Sequence, residues 1–268
     1  MTPLILAVAN QKGGVGKTTT VINVATILAE RGRRILVVDC DPQANATSGL
    51  GVARRDIGSS TYDVLVLGRP LSEARIATDI PGLDLVPADI ALAGAEIELV
   101  GVARREKRLT YALEALVEDP VDYVFLDCPP SLGLLTVNAV VAAHGLVVPI
   151  QCEFYALEGL GLLTHTINLL RRELNPGLQL TAIVLTLHDS RLTLANQVVD
   201  EVRKRFGTQV LEPVIPRNVR LSEAPSYGLP ISRYAPASRG AQAYRELAAN
   251  LDERLQTEAA GLATGSLA

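Results

Sequence analysis

Hydrophobic and polar positions recur along this chain in one order: a short apolar run, a polar or glycine-rich break, then a longer stretch with apolar residues at helical spacing. Leu4–Ala9 is the first run and Asn10–Gly16 the first break. Lys17–Arg31 is the first helix, with Val21, Val24, Ala25 and Leu28 on one side. Gly32 stops it. Arg34–Cys40 reads as a second buried strand, so two strands and a helix make one right-handed βαβ unit. Asp41–Ser60 is rich in Asn, Gly, Ser and Thr. It reads as a long loop with at most a short helix near Ala44–Leu50, and loops of that length in compact domains are usually functional. Further runs at Leu83–Val86, Val121–Asp127, Leu146–Ile150, Leu180–Thr186 and Val210–Ile215 continue the alternation. An amphipathic helix over Ser238–Leu255 closes it, and Thr257–Ala268, small and low in charge, is expected to be a disordered tail.

Composition sharpens the fold class. A chain of 268 residues that is 48% hydrophobic buries one substantial core, so residues 1–256 are expected to form a single domain, with 257–268 as the tail. Aromatics make up only 4% and there is no Trp, which leaves Val, Ile, Leu and Ala to build the core. That suits parallel strands buried on both faces, and the expected class is α/β: a doubly wound, mainly parallel sheet with helices on both sides. The three cysteines, Cys40, Cys128 and Cys152, are odd in number and form no C-x-x-C pair, which fits a reduced, cytoplasmic setting. The first residues lack a basic leader and a cleavage site, so no signal peptide is expected. No apolar run reaches the roughly 18 residues needed to cross a bilayer, so no membrane partner is expected either. A net charge of −4 excludes a wholesale polycation while leaving room for a local basic face.

The chemistry concentrates where the first strand meets the first helix. A strand ending in a glycine-rich loop that opens a helix aims several backbone amides and the positive helix end at one spot, and polyphosphate is the natural ligand. In Lys12-Gly13-Gly14-Val15-Gly16-Lys17-Thr18-Thr19 the glycines let the backbone curl around oxygens, Lys17 reaches the β- and γ-phosphates, and Thr18 offers a hydroxyl to Mg²⁺. The ordinary pattern G-x-x-x-x-G-K-S/T is broken, because Gln11 stands where the first glycine belongs. Two strand ends supply carboxylates. Asp127 closes the run Val121–Leu126 and precedes Cys128-Pro129-Pro130-Ser131, the placement of an acid that holds Mg²⁺. Asp39 and Asp41 flank Cys40 ahead of Pro42-Gln43, where both could face the γ-phosphate.

The segment K-G-G-V-G-K-T is identical to the signature of the deviant Walker A ATPases, and this chain most resembles the ParA/Soj partition branch of them. The resemblance implies a P-loop NTPase fold, ATP and Mg²⁺ as cofactors, and a sandwich homodimer in which Lys12 reaches the partner's nucleotide. D-x-D-P-Q resembles the family's switch I, where the aspartate before Pro-Gln serves hydrolysis. That assigns catalysis to Asp41, with Lys12 and Lys17, and a supporting part to Asp39. The metal would then be held by Thr18, Asp127 and Asp41, while Asn45 and Thr47 are secondary candidates for sensing nucleotide and Gly133 for giving the switch after Asp127 its freedom. Ile215–Pro230 resembles the chromosomal ParA/Soj members more specifically than the phosphate loop does, and by that resemblance Pro216 and Asn218 lie at the adenine.

Family members bind double-stranded DNA non-specifically as ATP dimers and answer to a ParB-like partner, which would make this chain a nucleoid-associated switch. Between His188 and Gly240 the sequence has eight basic against five acidic residues, reversing the overall acidity. Such a face binds phosphates without reading sequence. The resemblance puts Arg191 and Arg220 first among the DNA contacts, then Arg203, Lys204 and Arg239. Rival readings fit less well. Gln256–Ala268 has no Lys, Arg or aromatic residue for a membrane-gripping helix of the MinD kind. Cys128 and Cys152 do not reproduce the cluster ligands of nitrogenase iron proteins. A small-molecule synthetase on the same fold remains the rival of a different class.

Overall fold

The computed structural model describes residues 3–114, 116 and 121–263, with 154–160, 162–163 and 259–263 described by backbone alone. In chain order the strands are β1 (Leu4–Val8), β2 (Ile35–Asp39), β3 (Ile76–Ala77), β4 (Leu83–Val86), β5 (Tyr123–Asp127), β6 (Gly145–Gln151), β7 (Gln179–Thr186) and β8 (Val210–Leu211). The helices are α1 (Lys17–Glu30), α2 (Asn45–Gly49), α3 (Thr61–Leu65), α4 (Leu71–Ala74), α5 (Ala95–Glu98), α6 (Arg108–Glu114), α7 (Leu134–Ala142), α8 (Phe154–Glu173), α9 (Thr193–Phe206), α10 (Val219–Glu223), α11 (Ile231–Tyr234) and α12 (Arg239–Ala263).

The strands form one sheet in the order β3-β4-β2-β5-β1-β6-β7-β8, parallel throughout except for β3 against β4. This is the doubly wound α/β class that the composition predicted. Period-two alternation sorts each strand between two cores. Leu4, Leu6 and Val8 of β1 join Ile35, Val37, Tyr123 and Phe125 beneath α1 and α12. Ile5 and Ala7 join Leu36, Val38, Val124 and Leu126 on the other face. Continued one step further, the same alternation sends Asp39 and Asp127, which are paired in register, to the α1 face. Cys40 and Cys128 fall in the opposite core. Both acids thus arrive at the carboxyl ends of central strands beside the start of α1, where open α/β sheets bind ligands.

Three boundaries differ from the pattern-based reading. The run Val210–Ile215 yields only a two-residue strand, because Pro213 has no N–H to continue the ladder; a lone bridge between His188 and Pro216 follows. The edge strand β3 was not foreseen, being two residues long. The last helix runs to Ala263, so 257–263, expected to be disordered, is helical. Good helix formers carry it on, and Glu258 accepts a hydrogen bond from Thr181 Oγ1 of β7 at 3.3 Å. Residues 264–268 of the expected tail lie outside the described residues. No described helix is long and apolar enough to cross a membrane.

At the opposite end of the sheet, His144 Nδ1 accepts the Ile5 N–H at 3.0 Å, which requires the neutral ring, and burial holds its pKa below the ordinary value. The unfolded chain therefore takes up that proton first, and stability is lost as pH falls below about 6.5. The thermal-midpoint advantage of the native protein over His144→Asn, whose amide oxygen can also accept, should shrink between about pH 7.5 and about pH 5.5. A constant difference would remove His144 from the pH dependence.

Candidate functional site

The loop between β1 and α1 is braced from three sides. Asn10 Nδ2 donates to the Pro149 carbonyl at 2.7 Å, Asn10 Oδ1 accepts the Lys12 N–H at 3.0 Å, and Thr186 Oγ1 at the end of β7 donates to the Val15 carbonyl at 2.8 Å. Gly16 caps α1 at φ 87°, a left-handed conformation that a Cβ resists, and no side chain among the described residues caps the first turn. The first-turn amides of α1 are thus left to a ligand. Lys17 is buried and bends back over the loop, its Nζ donating to the Lys12 carbonyl at 3.1 Å. Burial lowers its pKa, opposed by the charges of Asp127 and Asp41.

Asp127 is fully buried, and among the described residues neither carboxylate oxygen has a hydrogen-bond partner. Burial pushes its pKa well up, with Asp39 adding to the rise, while Thr18 and Lys17 alongside pull it down. Thr18 thus lies close enough to act on the carboxylate without meeting it in hydrogen-bond geometry. A buried carboxylate left this way costs several kcal/mol in principle and calls for a cation.

Asp41 lines the cleft; its Oδ1 accepts the Gln43 N–H at 2.9 Å. Asp39 does not. The expectation that both acids face the γ-phosphate region is corrected here, because Asp39 is fully buried and turned into its own loop. Its Oδ1 accepts the Asp41 N–H at 3.1 Å, and its Oδ2 accepts the Thr47 N–H at 2.9 Å and the Thr47 hydroxyl at 2.8 Å. Thr47 Oγ1 in turn accepts the Ala88 N–H at 3.0 Å. Burial raises the Asp39 pKa, opposed by these bonds. Asp39 and Thr47 therefore fix the loop that presents Asp41.

These groups open onto a cleft of about 490 Å³. Gly13, Gly14, Gly16, Lys17, Thr18 and Thr19 form its floor, with Asp41, Gln43, Asn45 and Ser48 along one wall. Its far end is built from Ile215, Pro216, Leu221, Ser222 and Pro225, above Ile22 and Tyr244. Pro216 is among the residues that line it. Asn218 does not line the cleft, since its Oδ1 caps α10 by accepting the Arg220 N–H at 2.9 Å. Leu221, Ser222 and Pro225 lie inside the Ile215–Pro230 stretch and were within reach of the sequence. Tyr244, brought in by α12 and bonded to Thr20 at 3.2 Å, carried no local signal.

Lys12 does not line its own cleft. Its Nζ lies 3.6 Å from Glu153 Oε2, and its side chain is 43% exposed. The expected basic face is exposed but internally paired. Arg191 makes a two-pronged contact with Asp189 at 2.8 and 2.6 Å, Arg203 meets Glu212 at 2.6 Å, and Arg220 meets Glu223 at 2.8 Å. The Arg191 guanidinium pulls the Asp189 pKa down to about 2. Lys204 and Arg239 are exposed and form no ion pair among the described residues. Counting charges pointed to these residues; it missed their pairing.

A family model described as an AAA domain matches residues 4–180. The sporulation initiation inhibitor protein Soj of Bacillus subtilis is 53% identical over 244 residues, covering 91% of this chain and 96% of that protein. The chromosome partitioning protein ParA of Caulobacter vibrioides is 52% identical over 251 residues, covering 93% and 94%. Among solved structures, cobyrinic acid a,c-diamide synthase from Mycobacterium smegmatis with bound ADP and magnesium superposes with a TM-score of 0.82 at 42% identity, covering 96% of each chain. With the K-G-G-V-G-K-T loop, the doubly wound sheet and these relatives together, the chain belongs to the ParA/Soj family of chromosome-partitioning P-loop ATPases.

Proposed function

We propose that this chain is an ATP-hydrolysing DNA-partition switch. Mg²⁺–ATP joins two subunits face to face, the dimer holds DNA through its basic face without reading sequence, and a ParB-like partner triggers hydrolysis and release. The observation that carries the nucleotide half is the partnerless Asp127 carboxylate beside Thr18 and Lys17. The Asp127 carboxylate, the Thr18 hydroxyl and the Asp41 carboxylate are hard oxygen donors that fit Mg²⁺, and the Mycobacterium smegmatis relative was solved with ADP and magnesium. Thr18, Asp127 and Asp41 would hold the ion, which would supply charge compensation for phosphoryl transfer. The chain's own residues do the rest. The loop amides and Lys17 cradle the phosphates, Asp41 orients the attacking water, Asp39 and Thr47 hold Asp41 in place, and Pro216 borders the base. Lys12, turned out of its own cleft, supplies positive charge to the partner's nucleotide. The chain works in the cytoplasm, on the nucleoid.

The test is ATP turnover with duplex DNA and a ParB-like protein, which are expected to accelerate it together. Arg191→Ala and Arg220→Ala should each weaken duplex binding at low salt by about tenfold and make the salt slope shallower by about one, with ATP-dependent dimerisation intact. Undiminished gel retardation by both variants would move the DNA face elsewhere. The likeness to the cobyrinic acid a,c-diamide synthase of Mycobacterium smegmatis favours a second reading, an ATP-dependent synthetase acting on a small molecule. Acceleration by a small carboxylate with an amine, and none by DNA, would replace the partition reading with that one.

A further inference from the structure

Two glycines join the nucleotide cleft to the basic face by direct backbone contact. Gly51 follows α2 at φ 84°, and Gly228 ends the turn Ala224–Tyr227 at φ 63°. A Cβ on Gly228 would lie 2.9 Å from the Gly51 Cα and 3.3 Å from the Ser48 carbonyl oxygen; one on Gly51 would lie 3.1 Å from the Gly228 carbonyl oxygen. Packed backbone has no flexible tip to give way, so the two turns shift together or separate.

On the cleft side, the Gly51 N–H donates to the Ser48 carbonyl at 3.0 Å and the Val52 N–H to the Thr47 carbonyl at 3.2 Å. Thr47 binds Asp39, which holds the Asp41 amide. On the other side, Tyr227, next to Gly228, stacks on Tyr234 with ring centroids 5.0 Å apart. The Tyr234 hydroxyl donates to Glu223 Oε2 at 3.1 Å, the same oxygen that Arg220 meets at 2.8 Å. A continuous run of contacts therefore leads from Asp41 to Arg220.

We propose that the Gly51–Gly228 contact couples the hydrolysis site to the DNA face. A shift of the loop 41–51 with the nucleotide's γ-phosphate is passed to the segment 218–234 and changes how firmly Glu223 occupies the Arg220 guanidinium. That ion pair is exposed on both sides, hence weak enough to exchange for a DNA phosphate. The inference rests on the proposed roles of Asp41 and Arg220, and it adds the physical element that both sites bias.

Two alanine variants separate the contact from backbone strain. Gly228→Ala and Gly32→Ala both place a Cβ at positive φ, but nothing lies within 4 Å of the added Cβ at Gly32. DNA-free turnover should stay within about twofold in both. Duplex affinity is measured by fluorescence anisotropy with ADP and with a non-hydrolysable ATP analogue. The ratio of the two should survive in Gly32→Ala and fall by about tenfold or more in Gly228→Ala. An unchanged ratio in Gly228→Ala overturns the coupling. Amide hydrogen exchange on the native protein tests it without a variant. Either nucleotide fills the base end of the cleft, so the analogue-minus-ADP difference reports the γ-phosphate end. It should appear at both 47–51 and 224–229, and a difference confined to 47–51 overturns the proposal. If the native protein binds no duplex with any nucleotide, the DNA reading falls, and the exchange result still decides the coupling.

Discussion

Lys12→Ala is expected to abolish the ATP-dependent dimer on size exclusion and to lower ATP turnover by about a thousandfold, the scale of a cationic group supplied in trans to phosphoryl transfer. The fold should hardly notice. Lys12 is half-exposed, and its ion pair with Glu153 at 3.6 Å is of a kind worth less than about 1 kcal/mol. The Lys12 backbone carbonyl that receives Lys17 Nζ is retained in the variant. A thermal midpoint close to that of the native protein, together with a missing dimer, would isolate the trans role. A dimer that persists with Mg²⁺–ATP refutes it.

Asp41→Ala should separate binding from hydrolysis. The variant loses the one acid of the switch loop that faces the cleft, while Asp39, Thr47 and the Ala88 amide keep the loop folded. Turnover is expected to fall by about a hundredfold to a thousandfold. The dimer should stay on DNA after ATP is added, read as a slow off-rate by surface-bound duplex. Asp39→Ala should behave differently. Removing its carboxylate strands the Thr47 and Asp41 amides, so a lowered thermal midpoint joins the lost turnover. Normal turnover in Asp41→Ala would pass catalysis to another residue.

The parts of this site that were legible in the sequence are those written in local pattern. Strand, glycine loop and helix are contiguous, so their order alone places the cradle from Gly13 to Thr19, and strand-end position is enough to bring Asp127 to it. Side-chain direction within a loop was not legible. Asp39 and Asp41 are two residues apart in a strand-like register, yet Pro42 ends the strand and the turn sends one carboxylate inward to Thr47 and the other outward. The absence of Asn218 from the cleft lining has a related reason: its Oδ1 caps the short helix that follows it. Tyr244 reaches the cleft from more than 200 residues after the loop it faces, a long-range contact that periodicity does not encode. The missed helix at 257–263 reflects a composition rule set aside by docking on β7.

The two margins of the sheet, β3 and β8, are only two residues long each. A protein crowded at high local concentration on one polymer is at risk of growing strand by strand into aggregates, because an open sheet edge is a template for another chain's backbone. Here each margin offers a template too short to hold one, and Pro213 truncates it further on the β8 side. In the proposed cycle self-association is thereby left to the cleft face, where ATP switches it on and hydrolysis switches it off, and kept away from the sheet edges.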